Sequence, residues 1–180
     1  TALAKTEARF SGAFQASPIF IAVARMRDGR FVLANDAFVN WTGYRRDEII
    51  GRSTADLTVW ERKEDREAFW EQARRTGSVR QSECRFRNRE GRRFTMLLSA
   101  ERIQLNHVPH LLTLALDITE RKQAEAELRA SEARLRESEA RFSVAFQASP
   151  VFINILRLSD RRYVWANDAF VNRLGYSREE

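Results

Sequence analysis

Apolar residues recur with the composition and alternation of β-strands in five stretches. These stretches are 19–25, 31–34, 79–87, 93–103 and 108–118. The first two flank Asp28-Gly29, a dipeptide that favours a hairpin turn because glycine accepts positive φ. The last stretch is apolar on both faces, through Leu111, Leu112, Leu114 and Leu116. Such a strand is usually central in its sheet, so its outer side is expected to meet another helix or a second subunit.

Helical patterns lie between the second and third of these stretches. Asn35 is a typical N-cap for a short helix that Gly43 would end, and residues 47–50 and 54–57 favour further short turns. Residues 62–75 predict a longer amphipathic helix whose buried side consists of Phe69, Trp70 and Ala73. The predicted fold class is therefore α+β, a five-stranded antiparallel sheet with its helices on one face.

A long, strongly helical segment follows the last strand. Residues 120–141 contain no glycine, proline or β-branched residue, and Asp117 followed by Glu120 suits a helix start. Leu128, Leu135 and Phe142 are seven residues apart, which predicts the seam of a parallel two-stranded coiled coil. Small residues occupy the alternate seam positions, so a single solvated helix is the competing interpretation.

The chain contains a long internal repeat. Residues 7–48 recur at 139–180, and 28 of the 42 aligned positions are identical. A repeat of this length indicates a duplicated domain rather than a solenoid. We predict that residues 1–8 begin a flanking helix and that residues 9–118 form the first domain. Residues 119–140 are predicted to form a linker helix, and residues 141–180 a second domain that is truncated after its first third.

Composition narrows the class of protein. The 180 residues are 43% hydrophobic and 31% charged, as in globular proteins, and the longest apolar runs, 19–24 and 111–116, are too short to span a membrane. Cys84 is the single cysteine, which favours a reducing, cytoplasmic setting. Because the chain starts at Thr1 without a signal-like segment, we expect an excised internal segment.

The order of motifs resembles a known family. A hairpin is followed by ANDAFVNWTGY, DEIIGRS, NREGRRF and then LDITERKQAEAELRASEARLRESEARF. This order resembles the bacterial PAS domain of the sensory-box type, as found in tandem in sensor histidine kinases and in diguanylate cyclase or phosphodiesterase regulators. The resemblance implies a sensory module of a two-component or related signal-transduction system, with a pocket between sheet and helices. It also implies that the signal leaves through Asp117, Ile118 and Thr119 to the linker helix.

The residues with which members of this family bind cofactors indicate which cofactors to expect in this chain. Haem is disfavoured because the long helix has no histidine, and both histidines, His107 and His110, are assigned to an exposed turn. A covalent flavin photoadduct is disfavoured because Cys84 lies on a strand, where we expect a buried core residue. Non-covalent flavin or another small ligand stays open, and no metal site is expected. The candidate pocket residues are Ala22, Phe38, Met96 and Leu98, with Trp41, Trp60 and Trp70 as further wall or core residues.

Three functions are compatible with the sequence. The first is a non-enzymatic sensory module that forms a homodimer, binds a small molecule and acts on an output domain in a longer protein. The second is a purely structural PAS dimerisation domain without a ligand. The third is nucleic-acid binding through Arg85, Arg87, Arg89, Arg92 and Arg93. It is the weakest, because an arginine-rich chain with a net charge of +6 more often reflects codon usage than a nucleic-acid site. Catalysis within this segment is not expected, since no phosphate loop or activated nucleophile is present.

Overall fold

The structure is a computed structural model that describes residues 11–175. The chain divides into two compact units, Thr1–Gln123 and Ala124–Glu180. The predicted flanking segment 1–8 and the end of the second repeat at 176–180 lie outside the described residues. Residues 11–16 are helical.

The first unit contains a five-stranded antiparallel sheet. Its strands are β1 (Phe20–Arg25), β2 (Phe31–Ala34), β3 (Ser78–Arg87), β4 (Arg93–Leu105) and β5 (Val108–Asp117). Their order in the sheet is β2-β1-β5-β4-β3, which confirms the central position predicted for the leucine-rich last strand. The first and last of these strands in the chain are therefore neighbours, with Ala22 opposite Thr113.

Three helices follow β2 in the chain: α1 (Asp36–Thr42), α2 (Arg46–Ile49) and α3 (Lys63–Thr76). The side-chain oxygen of Asn35 accepts the backbone N–H of Phe38 and so caps α1, while Gly43 and Gly77 end α1 and α3 in the left-handed conformation. These local predictions are confirmed. Residues 54–57 form hydrogen-bonded turns rather than a further helix, because Asp56 holds the loop by accepting Ser53 N–H.

The core lies between one face of the sheet and these helices. Strand residues alternate, so that Phe94, Met96, Leu98 and Ala100 of β4 are all buried on the helix side. Phe69, Trp70 and Ala73 of α3 are buried as the amphipathic pattern predicts. Cys84 is a buried free thiol on β3, again as predicted.

The last long helix, α4, spans Thr119–Ala148. It therefore continues past residue 140, where a domain boundary is predicted, and ends before Ser149-Pro150. In the second unit a hairpin, β6 (Asn154–Leu156) and β7 (Tyr163–Ala166), precedes the short helix α5 (Asp168–Leu174). Asn167 caps α5 as Asn35 caps α1, and Gly175 ends it in the left-handed conformation.

One prediction about exposure is wrong. His107 lies in the β4–β5 turn and is exposed, but His110 lies on β5 and is only 7% exposed. His110 is covered because its neighbours across the sheet are Arg25 on one side and Ile103 on the other. Its Nδ1 lies 2.8 Å from the carbonyl oxygen of Val108, a partner on its own strand.

Candidate functional site

An apolar cavity of about 50 Å³ lies between the sheet and the helices. The four residues predicted for a pocket, Ala22, Phe38, Met96 and Leu98, all line it. So do the three tryptophans named beside them, Trp41, Trp60 and Trp70. Thr54 and Thr113 add hydroxyl-bearing side chains, and the remaining walls are Phe20, Ala24, Phe31, Val59, Phe69, Phe86 and Ala115. No charged side chain is among these lining residues.

The aromatic residues of the cavity pack tightly on one another. Trp60 lies 4.4 Å from Phe86 between ring centroids and 5.5 Å from Phe69. Trp41 stacks on Phe20 at 5.4 Å and meets Phe86 edge-on. Such contacts stabilise the fold beyond the area that they bury. They also fill most of the space between sheet and helices, which is why the cavity is small.

Two polar atoms in this aromatic cluster are unusual. The indole Nε1 atoms of Trp41 and Trp60 are buried and have no hydrogen-bond acceptor. Within residues 11–175 the one other buried side-chain donor of this kind is Arg25 Nε, which does not line the cavity. A buried N–H without an acceptor costs about 1–3 kcal/mol, so the packing of these two indole rings opposes stability by an amount of that order.

An open groove borders the cavity on the surface. It has a volume of about 440 Å³ and is lined by the hairpin turn at Asp28 and Gly29, by residues 53–55 and by α3. Thr54 and Trp70 belong to both the groove and the cavity. The Trp70 ring approaches the turn closely, since a Cβ at Gly29 would lie 3.4 Å from it. These two side chains therefore form the wall between the cavity and solvent.

The junction between sheet and linker helix is built by hydrogen bonds from Thr95 and Asp117. The N–H of Thr95 donates to Thr119 Oγ1, and the carbonyl of Thr95 accepts the N–H of Ile118, both at 2.9 Å. Asp117 Oδ1 accepts the N–H of Thr119 at 2.9 Å, so its carboxylate satisfies a free amide at the helix start. Thr95 directly precedes Met96, a wall residue of the cavity.

A second link ties the first turn of α4 to the sheet. Lys122 Nζ lies 2.7 Å from Glu83 Oε1 on β3. Both side chains are partly exposed, so the pair contributes little to stability by itself. Ile118, in contrast, is only 3% exposed, so an apolar side chain is buried at the same turn. The junction is therefore held by three hydrogen bonds from backbone N–H groups, two of them accepted by the side chains of Thr119 and Asp117, and by one buried side chain.

The outer face of the sheet carries an apolar surface. Leu33 and Leu116 are 45% and 48% exposed there, and Leu97, Leu112 and Leu114 on the same face are half-buried. The register places Leu97 of β4 opposite Leu116 of β5. This agrees with the sequence pattern of a central strand that is apolar on both sides.

The predicted seam residues of α4 differ in their surroundings. Leu128 and Leu135 are each 61% exposed. Phe142 is 54% exposed, and its ring stacks on Phe146 and lies 6.1 Å from Trp165 within the second unit. The leucines thus form an apolar stripe along the helix, whereas Phe142 already has aromatic partners.

The arginines considered for nucleic acid are mostly engaged within the first unit. Arg89 lies 3.1 Å from Glu48, and Arg93 lies 3.4 Å from Glu61. Two more have other partners: Arg87 donates to the carbonyl of Thr58 and Arg92 lies over the ring of Phe94. The carboxylates of Glu48 and Glu61 compensate part of the positive charge that Arg89 and Arg93 would offer to a phosphate backbone.

Metal binding, a reactive thiol and a membrane-spanning helix find no support in the part of the chain that the structure describes. No group of three or more histidine, cysteine or acidic side chains there is arranged to hold a metal. Burial raises the pKa of the Cys84 thiol, so it is a poor nucleophile. No helix within residues 11–175 is long and apolar enough to cross a membrane.

Sequence reasoning missed Thr95, Glu83 and Lys122 at the junction. Thr95 makes its contacts through its backbone, so its residue type gives no sequence signal. Lys122 and Glu83 belong to two elements that are far apart in sequence, so no local pattern predicts that they pair. Alternation along β4 does place Thr95 beside the inward-facing Met96, and this was the one usable signal.

A cavity enclosed between an antiparallel sheet and its crossing helices defines a small α+β domain of the type that carries sensory pockets. A sequence model described as "PAS domain" matches residues 17–120, more than half of the chain. The chain therefore belongs to the PAS domain family, which consists in general of sensory modules in signal transduction and is typically non-catalytic.

Comparison with individual proteins agrees with this assignment. The chain is 40% identical over 67 residues to biofilm dispersion protein BdlA of Pseudomonas aeruginosa, a match that covers 36% of this chain and only 16% of BdlA. The PAS domain of an HTR-like protein from Haloarcula marismortui is similar with a TM-score of 0.53 at 24% identity, over 65% of this chain and 95% of that one.

Two further solved structures share the fold. A PAS domain from a two-component sensor histidine kinase has a TM-score of 0.54 at 16% identity, over 63% of this chain and 98% of that one. An RNA-binding light-oxygen-voltage receptor has a TM-score of 0.60 at 25% identity, over 72% of this chain and 38% of that one.

Proposed function

We propose that this chain is a sensory and dimerisation module of a longer bacterial signalling protein. A small molecule or redox change in the cavity alters β4 and β5, and Asp117, Ile118 and Thr119 pass this change to α4. The module itself carries out no catalysis and acts on an output domain elsewhere in the protein. Its single cysteine supports a reducing, cytoplasmic setting.

One observation carries the proposal: the two backbone hydrogen bonds of Thr95. Thr95 adjoins the cavity wall at Met96 and is bonded to both Ile118 and Thr119, so a shift of β4 at the cavity moves the first residues of the helix. Coupling of about 1–3 kcal/mol is typical between two such sites. The Asp117 carboxylate supports this role because it fixes the Thr119 amide.

Homodimerisation is supported by the exposed apolar surfaces. Leu128 and Leu135 face solvent on α4 at a spacing of seven residues, as in a coiled-coil seam. The outer face of the sheet, with Leu33 and Leu116, offers a second apolar area in the same unit as the cavity. Buried against a second copy, these leucines would gain roughly 25 cal/mol per Å² of apolar surface.

Residues 141–175 are proposed to begin a second PAS domain. The side-chain oxygen of Asn167 accepts the N–H groups of Ile153 and Phe170, and its amide donates to the carbonyl of Val151. Asn35 makes the corresponding bonds in the first copy, with Ile21, Phe38 and Ile19. The same local network in both copies supports a duplicated domain.

The second candidate is a structural PAS dimerisation domain without a ligand. The small cavity supports it, because drug-sized and cofactor ligands occupy pockets of about 300–1,000 Å³. A flavin does not fit a cavity of about 50 Å³ with these aromatic walls, so no step is assigned to it.

Native mass spectrometry of the purified chain reports both its number of subunits and any small molecule that it retains. We expect a dimer, and Leu128→Ser with Leu135→Ser should convert it to monomer. Ala126→Ser with Ala133→Ser changes exposed positions of the same helix outside the seam and should leave the dimer intact. A monomeric parent chain, or a dimer unaffected by the leucine changes, contradicts dimerisation through α4.

Substitutions of Asp117 in the protein with its output domain test the relay. Asp117→Ala removes the acceptor for Thr119 N–H and should abolish regulation of output while the fold is retained. Asp117→Asn keeps a side-chain oxygen at that place and should retain most of the regulation. Output regulation that Asp117→Ala leaves unchanged contradicts the relay and favours the structural candidate.

A further inference from the structure

Part of the outer face of the first sheet is buried. Ala22 lines the cavity, so the next residue, Val23, points to the opposite, outer face of the sheet. Val23 is nevertheless only 3% exposed, although it does not belong to the core between the sheet and the helices. Its cross-strand neighbour Leu33 is 45% exposed on the same face. Burial of Val23 to this degree indicates that a further element packs over this part of the face.

The second unit shows which element packs at the corresponding place. Trp165 of β7 is the equivalent of Leu33 in the repeat. The ring centroid of Trp165 lies 6.1 Å from that of Phe142 and 5.8 Å from that of Phe146, both on α4. Phe146 is only 6% exposed. The helix that precedes the second hairpin therefore covers this hairpin with two phenylalanine side chains.

Nearly the same helix sequence precedes the first hairpin. EARFSGAFQA at residues 7–16 recurs as EARFSVAFQA at residues 139–148, with a phenylalanine at the same two places. In the first copy these are Phe10 and Phe14. Residues 11–16 are helical, and Phe14 is half-buried. Because the two hairpins are also copies of each other, the same contacts are expected in the first domain.

The end of this helix is held in the same way in both copies. The Asn35 side-chain amide donates to the carbonyl of Ser17 at 3.3 Å. The equivalent amide of Asn167 donates to the carbonyl of Ser149 at 3.2 Å. Helix and hairpin are therefore joined at the same point in both copies.

We propose that residues 7–10 continue the helix of residues 11–16 and that Phe10 packs on the outer face of the first sheet, over Val23 and Leu33. The occupant of this surface is the chain's own N-terminal segment, because the repeat contains the same helix on the equivalent surface. A second copy of the chain is then confined to α4 and to the rest of the face. The inference goes beyond the proposed function and does not depend on a ligand.

Thiol labelling tests this packing. The chain with Cys84→Ser and Val23→Cys has one thiol, at the place of the buried valine. We expect it to react slowly with a maleimide, and Phe10→Ala should raise its rate about fivefold or more because the covering side chain is lost. Phe10→Leu keeps an apolar side chain and should stay slow, as should the matched control Arg9→Ala, one position away in the sequence. An unchanged rate in Phe10→Ala overturns the inference.

A second measurement separates local uncovering from unfolding. In the chain that keeps Val23 and Cys84, Phe10→Ala should leave the Cys84 thiol as slow to react as in the parent chain, since Cys84 is buried in the core on the other face of the sheet. Equal acceleration at Cys84 would mean that the substitution loosens the whole domain, which contradicts a local contact over Val23.

Crosslinking with a short bis-maleimide identifies the occupant. In the Cys84→Ser chain, Phe10→Cys with Leu33→Cys should be linked within one molecule. The reference pair is Phe142→Cys with Trp165→Cys, whose parent rings lie 6.1 Å apart. Linked dimers of the first pair would show that a second copy covers the face and would overturn the inference. So would the absence of any link while the reference pair reacts; if neither pair is linked, the labelling rates decide.

Discussion

The hydroxyl oxygen of Thr119 accepts a hydrogen bond from the backbone N–H of Thr95 at 2.9 Å, which joins the first residue of α4 to strand β4. The bond matters because Thr95 continues directly into the cavity wall at Met96. A backbone group on β4 is thus satisfied by a side chain of α4 instead of by the neighbouring strand.

Thr119→Val should weaken this junction. Valine has nearly the same shape as threonine but accepts no hydrogen bond, so the half-buried Thr95 N–H loses its partner at a cost of about 1–2 kcal/mol. We expect faster hydrogen exchange at the Thr95 amide and a lower free energy of unfolding. Thr119→Ser keeps the hydroxyl and should resemble the parent chain. Equal exchange rates in the valine and serine variants would show that the bond does not hold the junction.

Asn35→Ala should be among the most destabilising polar substitutions. The Asn35 side chain is fully buried, accepts the N–H groups of Ile21 and Phe38 and donates to the carbonyl of Ile19. Its removal leaves buried partners unpaired, so the free energy of unfolding in urea should fall by about 2–4 kcal/mol.

Asn40→Ala is the matched control, since Asn40 is an exposed asparagine of the same helix α1. It should change stability by less than about 0.5 kcal/mol. Similar losses in the two alanine variants would mean that helix propensity, and not the network around Asn35, causes the effect.

Cys84 should be unreactive in the folded chain. Burial raises the pKa of its thiol above the ordinary value of 9.0, so at about pH 8 it carries less thiolate than an unfolded cysteine. We expect a disulfide reagent to react on the order of 100-fold more slowly with native protein than with the urea-unfolded chain, because the thiol must first be exposed. Rapid native reaction would mean that β3 opens readily.

Glu48 should give the domain an acid-sensitive component of stability. A hydrogen bond from Arg45 N–H, supported by the Arg89 guanidinium, holds the pKa of Glu48 below its ordinary value of 4.5. A carboxylate with a lowered folded-state pKa stabilises the fold above its unfolded pKa and loses this contribution as the pH falls through the folded value.

Glu48→Gln should therefore reduce the dependence of the urea midpoint on pH below 4.5, with little change in slope at neutral pH. Glu90→Gln, at an exposed turn between β3 and β4, serves as the comparison. If both variants keep the parent pH profile, the Glu48 contacts do not contribute to acid sensitivity.

Trp70→Leu should open the cavity to the groove. Trp70 and Thr54 form the shared wall, and leucine leaves part of it unfilled. We expect faster solvent exchange of the Trp60 indole proton and a loss of about 1–3 kcal/mol in stability. Arg74→Leu, which removes the guanidinium that lies over the outside of the Trp70 ring, should alter indole exchange far less. Unchanged exchange in Trp70→Leu would exclude this wall as the route of entry.

The sequence determined the elements whose ends and faces depend on neighbours within a few residues. Asn35, Gly43 and Gly77 define helix ends through contacts at most four residues away, and alternation along β4 identifies Met96 and Leu98 as inward-facing. The family resemblance and the repeat also came from the chain alone, because both are properties of residue order.

Only the tertiary structure decided what depends on the register between distant strands. His110 is buried because β1 and β4 lie on either side of it, and Thr95 meets Thr119 because β4 pairs with β5 up to the start of α4. The cavity volume and the two unpaired indole N–H groups follow from how aromatic rings of several elements pack together. Such packing depends on shapes and distances in space, which a pattern of apolar positions does not specify.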